Sequence, residues 1–397
     1  HALATGRPPR NLDPWICGAD AIASLAGRAA DGADVLIIEG VMGLYDGAVD
    51  GSPSSTAAVA AMLDAPVVLV VDGSSMSASV AALVRGYRDH DPSIRLAGVI
   101  LNRVGGDHHR ELLTEALAAI EVPVLGCLRR DDGIEWRDRH LGLVPVQERP
   151  ADVGAALDRL AALVGDACDL DAVMNVARRA PTMTVPPPPR PRRVGRARIA
   201  VAAGPAFTFS YADNLEALEA AGAELLRFDP LLDRDLPDGA QALVVGGGFP
   251  EVYGPQLADN APLLARVRAA VDGGLVTWAE CGGLLWLARA LDGRPLVGAV
   301  DAEGRMGNRL TLGYRTVTVE QANPLAPAGS ELRGHEFHYS TLDPPGDALT
   351  LRSRFSTRTE GFASPTMLAT YLHQHLGGDA TRAERFVGTI VGGGDTR

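Results

Sequence analysis

The chain has 397 residues, 46% hydrophobic and 22% charged, with a formal net charge of −12. That length supports two or three domains with substantial cores, and that composition excludes a disordered or fibrous chain. The negative balance argues against nucleic acid or an anionic membrane as the main partner, although an acidic protein still has room for an anion in a local basic pocket.

Four cysteines (Cys17, Cys127, Cys168 and Cys281) lie far apart without CxxC or His/Cys metal spacing. Neither a disulfide framework nor a structural zinc is expected, and a reducing cytoplasm fits best. No apolar run reaches the roughly 18 to 20 residues of a membrane span, and no charged-then-apolar signal segment opens the chain. The first residue is His1 rather than a methionine, and residues 1–15 carry no strand pattern. A missing N-terminal piece is expected.

In chain order, the first strand signal is Val35-Leu36-Ile37-Ile38-Glu39-Gly40, a continuous apolar run of the kind expected for a parallel strand buried on both faces. Its carboxyl end is where ligands bind in open α/β sheets. The glycine-punctuated loop from Val41 to Gly47 then places Asp46 near Glu39. Two carboxylates at a strand end suit Mg²⁺ with phosphate, since the hard cation takes a few carboxylate oxygens and keeps waters and phosphate for the rest. A solvated acidic turn is the plain alternative.

Strands are expected at Pro66–Asp72, Leu96–Val104 and Val122–Gly126, separated by helical spacing at 77–87 and 109–119. That alternation means βαβ units and a parallel sheet. Asn102 and Arg103 fall just past a strand end, where the amide either reads an adenine edge or caps the following turn. The polar stretch from Asp132 to Arg149, with Trp136, Arg137, Arg139 and His140, is either an anion-holding edge loop or a solvated surface. An amphipathic helix at 151–164 closes the domain. The first domain is drawn as 1–176, followed by a Pro/Arg-rich linker at 177–197 whose run Pro186-Pro187-Pro188-Pro189 enters neither helix nor sheet.

The second domain, 198–397, opens with a strand at Arg198–Ala202 and a helix at 214–221. A further strand runs from Ala242 into Gly246-Gly247-Gly248; three glycines there allow backbone N–H groups to face a site, as an oxyanion hole requires, or simply make a tight turn. The run Leu275–Glu280 stops at Cys281-Gly282-Gly283 and resumes with helical spacing. Strand, sharp turn and helix would thrust a nucleophile out of the sheet beside N–H groups for an oxyanion. Cys281 is the candidate nucleophile, against the plain alternative of a buried cysteine ending a core strand. His335, His338, His373 and His375 supply candidates for its base, and no acid or cysteine completes a zinc set with them.

Taken together, Gly246-Gly247-Gly248-Phe249-Pro250-Glu251, Ala279-Glu280-Cys281-Gly282-Gly283, the run Arg333–Ser340 and Tyr371-Leu372-His373 resemble the amidotransferase domain of the cobyrinic and hydrogenobyrinic acid a,c-diamide synthase family of corrinoid glutamine amidotransferases. Glu39–Gly47 and Gly98–Arg103 resemble that family's dethiobiotin-synthetase-like ATP domain. The resemblance implies a P-loop-type parallel-sheet α/β domain, here N-terminally truncated, followed by a class I glutamine amidotransferase-like α/β domain. It also implies that Cys281 attacks the glutamine side-chain amide, that His373 activates it, and that N–H groups near Gly247 and Gly282 hold the oxyanion. ATP and Mg²⁺ are the implied cofactors, with Glu39 as metal ligand, Asp46 on the metal or the acceptor carboxylate, and Asn102 and Arg103 at the nucleotide. The acceptor would be a tetrapyrrole polycarboxylate, and a homodimer is compatible with the pattern.

Two departures stand out. The family's opening strand and Gly-Lys-Thr phosphate loop, which would need roughly fifty further residues, do not occur in the chain; glutaminase chemistry is expected to survive that loss and amidation to suffer. The glutamate that usually follows the class I histidine by two positions is His375 here, so a Cys281–His373 dyad is expected. The rivals are a cobyric acid synthase or nickel-sirohydrochlorin amidase, a non-catalytic tetrapyrrole-binding remnant, and a cysteine hydrolase of unrelated amides.

Overall fold

The computed structural model describes residues 1–48, 51–131 and 150–393. The stretch carrying Trp136, Arg137, Arg139 and His140 lies outside the described residues. The chain divides into two compact units, His1–Pro14 with Ile22–Pro186, and Trp15–Ala21 with Pro187–Arg397.

The first unit is built on β1 (Val67–Asp72), β2 (Leu96–Val104) and β3 (Val124–Arg129), paired in that order and all parallel. Parallel neighbours need crossovers, and the helices Ser79–His90 and Asp107–Ala118 supply them. Val80, Val84, Leu113 and Leu117 from these helices close over Val99 and Leu101 of the sheet, all fully buried. The register sets Asp72 opposite Asn102, so both reach the carboxyl edge together.

The run Val35–Gly40 is not a strand, which corrects the expectation drawn from its composition. A parallel strand exists only through a neighbour's ladder, and among the described residues none pairs with this run. Leu36 and Ile38 pack against the cluster of Ile22, Val59 and Leu63, whereas Ile37 is 84% exposed. An apolar run can anchor alternate side chains without joining a sheet.

In the second unit the strands are β4 (Ala197–Ala202), β5 (Ala223–Phe228), β6 (Ala242–Val245), β7 (Val276–Glu280), β8 (Ala288–Leu291), β9 (Arg294–Pro295), β10 (Val300–Val319), β11 (Glu331–Asp343), β12 (Leu349–Arg352), β13 (Thr357–Glu360), β14 (Phe362–Ser364) and β15 (Met367–Thr370). They form one sheet of order β14-β15-β7-β6-β4-β5, parallel apart from β14, and a second of order β13-β12-β10-β8-β9 in which β11 also pairs with β10. Side chains alternate across the first sheet as the strand period requires. Ile199, Val201, Val244 and Trp278 join one core, while Ala200, Ala202, Leu243 and Ala279 join the other. The alanines leave room on that face for Trp286 and Phe207, whose rings meet at 5.5 Å.

The corrected reading of residues 35–40 has a direct check. Ile37→Ala should change stability by no more than about 0.5 kcal/mol, whereas Ile22→Ala, at a fully buried position, should cost about 3 kcal/mol; urea denaturation of the two variants would separate them.

Candidate active site

Strand β7 ends at Glu280 and the helix Gly282–Leu287 begins two residues later. Cys281 makes the whole turn. Its φ of 50° and ψ of −102° lie where non-glycine residues are rare, a strain of order 1–3 kcal/mol that surrounding structure must hold. Part of that hold is the bond from Cys281 N–H to the Thr370 carbonyl at 2.8 Å. This exists because β7 and β15 pair in parallel with Glu280 opposite Thr370. The two chains therefore leave the sheet side by side, Cys281 on one and Tyr371-Leu372-His373 on the other.

His373 is fixed next by β11, exchanging two backbone hydrogen bonds with His335 at 2.9 and 3.2 Å. The two imidazoles stack, 5.0 Å between centroids. The Cε1–Nε2 edge of His373 faces Gly247, where an added Cβ would lie 2.7 Å from Cε1. Its Nδ1 faces Glu280, 3.9 Å from Oε2. Cys281, His373, Gly247 and Gly282 thus gather at one place.

Two details differ from the expected roles. The Gly247 N–H already donates to the Phe209 carbonyl at 2.9 Å, so it has no bond left for an oxyanion. Its neighbour Gly248 is better placed. Among the described residues nothing accepts from the Gly248 N–H, and that nitrogen lies 2.8 Å from the point a Cβ on Gly282 would occupy. A side chain on Gly248 is itself impossible without backbone movement, since its Cβ would fall 1.9 Å from the Ala206 carbonyl oxygen. The Gly282 N–H favours the charged form of the Cys281 sulfur.

The second detail concerns His375. It turns away from His373: its Nδ1 accepts from Gly377 N–H at 2.9 Å, and its Nε2 lies 3.6 Å from Asp213. The carboxylate beside His373 is Glu280. Sequence reading passed over it, although a carboxylate closing an otherwise apolar strand is unusual enough to be a signal.

Burial governs the charge states. It pushes the Cys281 thiol up to about 12, with the nearby carboxylates of Glu251, Glu280 and Glu336 adding to it against the Gly282 N–H. It pushes His373 down to about 3, with His335 and His338 acting the same way. The resting site therefore holds a neutral thiol, donating to the Phe337 carbonyl at 3.9 Å, and a neutral imidazole able to accept a proton. Beside them burial raises Glu336, but the hydrogen bond from His338 and the charges of Arg358 and Arg315 outweigh it and hold that carboxyl at about 2. Arg315 Nε donates to Glu336 at 2.6 Å, and Arg358 pairs with its other oxygen.

The first unit's candidates are more scattered. Asn102 accepts the Arg103 N–H at 2.9 Å through its side-chain oxygen, and Arg103, at φ 57°, pairs with Asp72 at 3.0 Å. Glu39 lies in irregular chain with its carboxylate 2.6 Å from His1. Asp46 closes a turn through its N–H to the Gly43 carbonyl at 2.9 Å. Among the described residues no three His, Cys, Asp or Glu side chains cluster as a metal site.

A strained cysteine between a parallel strand and a helix, beside a histidine from the neighbouring strand's end, defines a glutamine amidotransferase-type unit. Residues 198–381 match the CobB/CobQ-like glutamine amidotransferase domain family, and residues 18–138 match an AAA domain family, a nucleotide-binding class. The chain is 46% identical to hydrogenobyrinate a,c-diamide synthase of Streptomyces coelicolor over 98% of this chain and 87% of that protein. It is 45% identical to the Thermobifida fusca protein of the same name, and 42% identical to cobyrinate a,c-diamide synthase of a Synechococcus strain, over 98% of this chain and 87% and 88% of those proteins. The chain belongs to the hydrogenobyrinate and cobyrinate a,c-diamide synthase family.

Two substitutions test this description. Gly247→Ala should displace the His373 imidazole and lower glutamine hydrolysis at least tenfold while thermal unfolding changes little, read by glutamate release. Glu336→Gln should cost about 3 kcal/mol at neutral pH by leaving two buried-side arginine contacts unpaired. Because the folded-state carboxyl is held below its ordinary 4.5, this stabilisation is present above that value and lost as pH falls towards about 2; the gap between wild type and variant should close over that range in thermal denaturation.

Proposed function

We propose that this chain is the ATP-dependent enzyme that amidates the a and c acetate carboxylates of cobyrinate or hydrogenobyrinate in cobalamin biosynthesis, with ammonia taken from glutamine. The observation that carries the reading is the positive-φ Cys281 at the strand-to-helix turn, next to the Glu280 that faces His373, in a chain matching diamide synthases over 98% of its length. Cys281 is the nucleophile and His373 the base that takes its proton. The N–H groups of Gly282 and Gly248 receive the oxyanion as ammonia leaves. The thiol becomes reactive only as His373 accepts its proton, since burial disfavours a free thiolate.

The synthetase domain is drawn at 1–176 and the amidotransferase domain at 198–397, with 177–197 between them; in the structure Trp15–Ala21 groups with the second unit, and the first unit runs on to Pro186. A carboxylate is a poor acyl acceptor until its oxygen becomes a phosphate leaving group, so ATP activates each acetate and ammonia displaces phosphate. Glu39 and Asp46 fit Mg²⁺ by donor chemistry, as oxygen ligands for a cation that keeps waters and phosphate oxygens. When bound, that ion neutralises charge during phosphoryl transfer. Asn102 and Arg103, at the carboxyl edge of the parallel sheet, lie where nucleotides bind in such folds. No described helix is long and apolar enough to cross a membrane; the cytoplasm is the compartment, and a homodimer the assembly, that this reading adopts.

Cys281→Ala should abolish amidation driven by glutamine yet retain amidation driven by high free ammonia, followed by product mass. Loss of both activities in a folded variant would contradict the division of labour between the units.

A further inference from the structure

The histidine that must act as base has no carboxylate two residues later, where His375 instead faces Asp213. An imidazole in a catalytic pair needs its second nitrogen fixed, because that contact decides which ring nitrogen holds the proton. The group facing that nitrogen is Glu280, the residue immediately before the nucleophile.

The two oxygens of Glu280 have separate duties. Oε1 accepts from Trp278 Nε1 at 3.1 Å, from Gln374 N–H at 3.1 Å and from the Gln374 side chain at 3.5 Å. Gln374 is itself held by buried Arg382. Oε2 has no such donor among the described residues, and it points at His373 Nδ1, 3.9 Å away. That separation is beyond a hydrogen bond, but catalytic contacts in ligand-free sites are commonly long and tighten when substrate binds. We infer that Glu280 is the positioning residue for His373, completing a Cys281–His373–Glu280 arrangement whose carboxylate comes from the nucleophile's own strand.

With its carboxylate ionised, Glu280 holds the proton of neutral His373 on Nδ1, which leaves the Nε2 lone pair to take the thiol proton. As that proton moves from sulfur to Nε2, the imidazolium that forms lies beside the carboxylate; the electron pair left on sulfur makes the S–C bond while the carbonyl π pair moves onto oxygen, and collapse of that oxyanion breaks the C–N bond as Nε2 passes its proton to the departing ammonia. No further oxidant, reductant or metal enters the step.

This inference rests on the Cys281–His373 reading, and the test separates the two. In Glu280→Gln, the three donors at Oε1 keep the amide oxygen in place, so the amide NH₂ must face Nδ1. His373 is then driven to carry its proton on Nε2, where it can no longer accept one. Glutamine hydrolysis should be measured at about pH 9, above the value of about 8 to which burial pushes the Glu280 carboxyl. The expected result is a kcat roughly 10²- to 10⁴-fold below wild type, a KM within about threefold, and nitrogen NMR showing the His373 proton moved from Nδ1 to Nε2. An unchanged kcat, or a lowered kcat with the proton still on Nδ1, overturns the assignment. If Glu280→Gln does not fold, Glu280→Asp decides the matter: a carboxylate drawn back from Nδ1 should lower kcat at held KM, and wild-type kcat overturns the proposal. Cys281→Ala that still released glutamate would instead sink the nucleophile itself, independently of Glu280.

Discussion

The parallel pairing of β7 with β15 is the constraint on which the second unit's chemistry depends. It sets Glu280 opposite Thr370, and from that register follow both the bond that steadies the strained Cys281 turn and the exit of the His373 segment alongside it. A slip of one residue would turn every inward side chain outward, burying Thr277 and Ala279 partners on the wrong faces and parting thiol from imidazole. The two cores on either side of the sheet resist that slip. Core packing thus reaches the reaction through register rather than through any contact with substrate.

Around that geometry the site is electrically quiet at its centre and heavily charged just behind it. Cys281 and His373 are both kept neutral by burial. Glu336 is ionised because two arginines and His338 surround it. The difference is one of partners, not depth: both positions are buried, but only Glu336 has enough donors to offset the loss of water. The same burial raises Glu280, so the carboxyl and the imidazole are each costly to charge alone.

The first unit shows how far pattern alone carries a reading. Its parallel strands and crossover helices were legible because apolar runs alternate with helical spacing between them, and β1, β2 and β3 formed where the runs lay. Val35–Gly40 has the same composition and formed no strand, since nothing in composition says whether a neighbour's ladder is present. Asn102 likewise offered two roles, and its side-chain oxygen accepting the Arg103 N–H is compatible with either.

By itself the sequence determined the two-unit α/β organisation, the strand–turn–helix at Cys281 and the glycine turn at 246–248, because each is a local pattern of hydrophobic period and backbone freedom. Only the tertiary structure set Glu280 facing His373, since the two are 93 positions apart and meet through strand register. It also committed the Gly247 N–H to the Phe209 carbonyl and left the Gly248 N–H without an acceptor among the described residues. Those outcomes depend on long-range pairing and on which hydrogen bonds are already taken, and neither is written in any window of neighbouring residues.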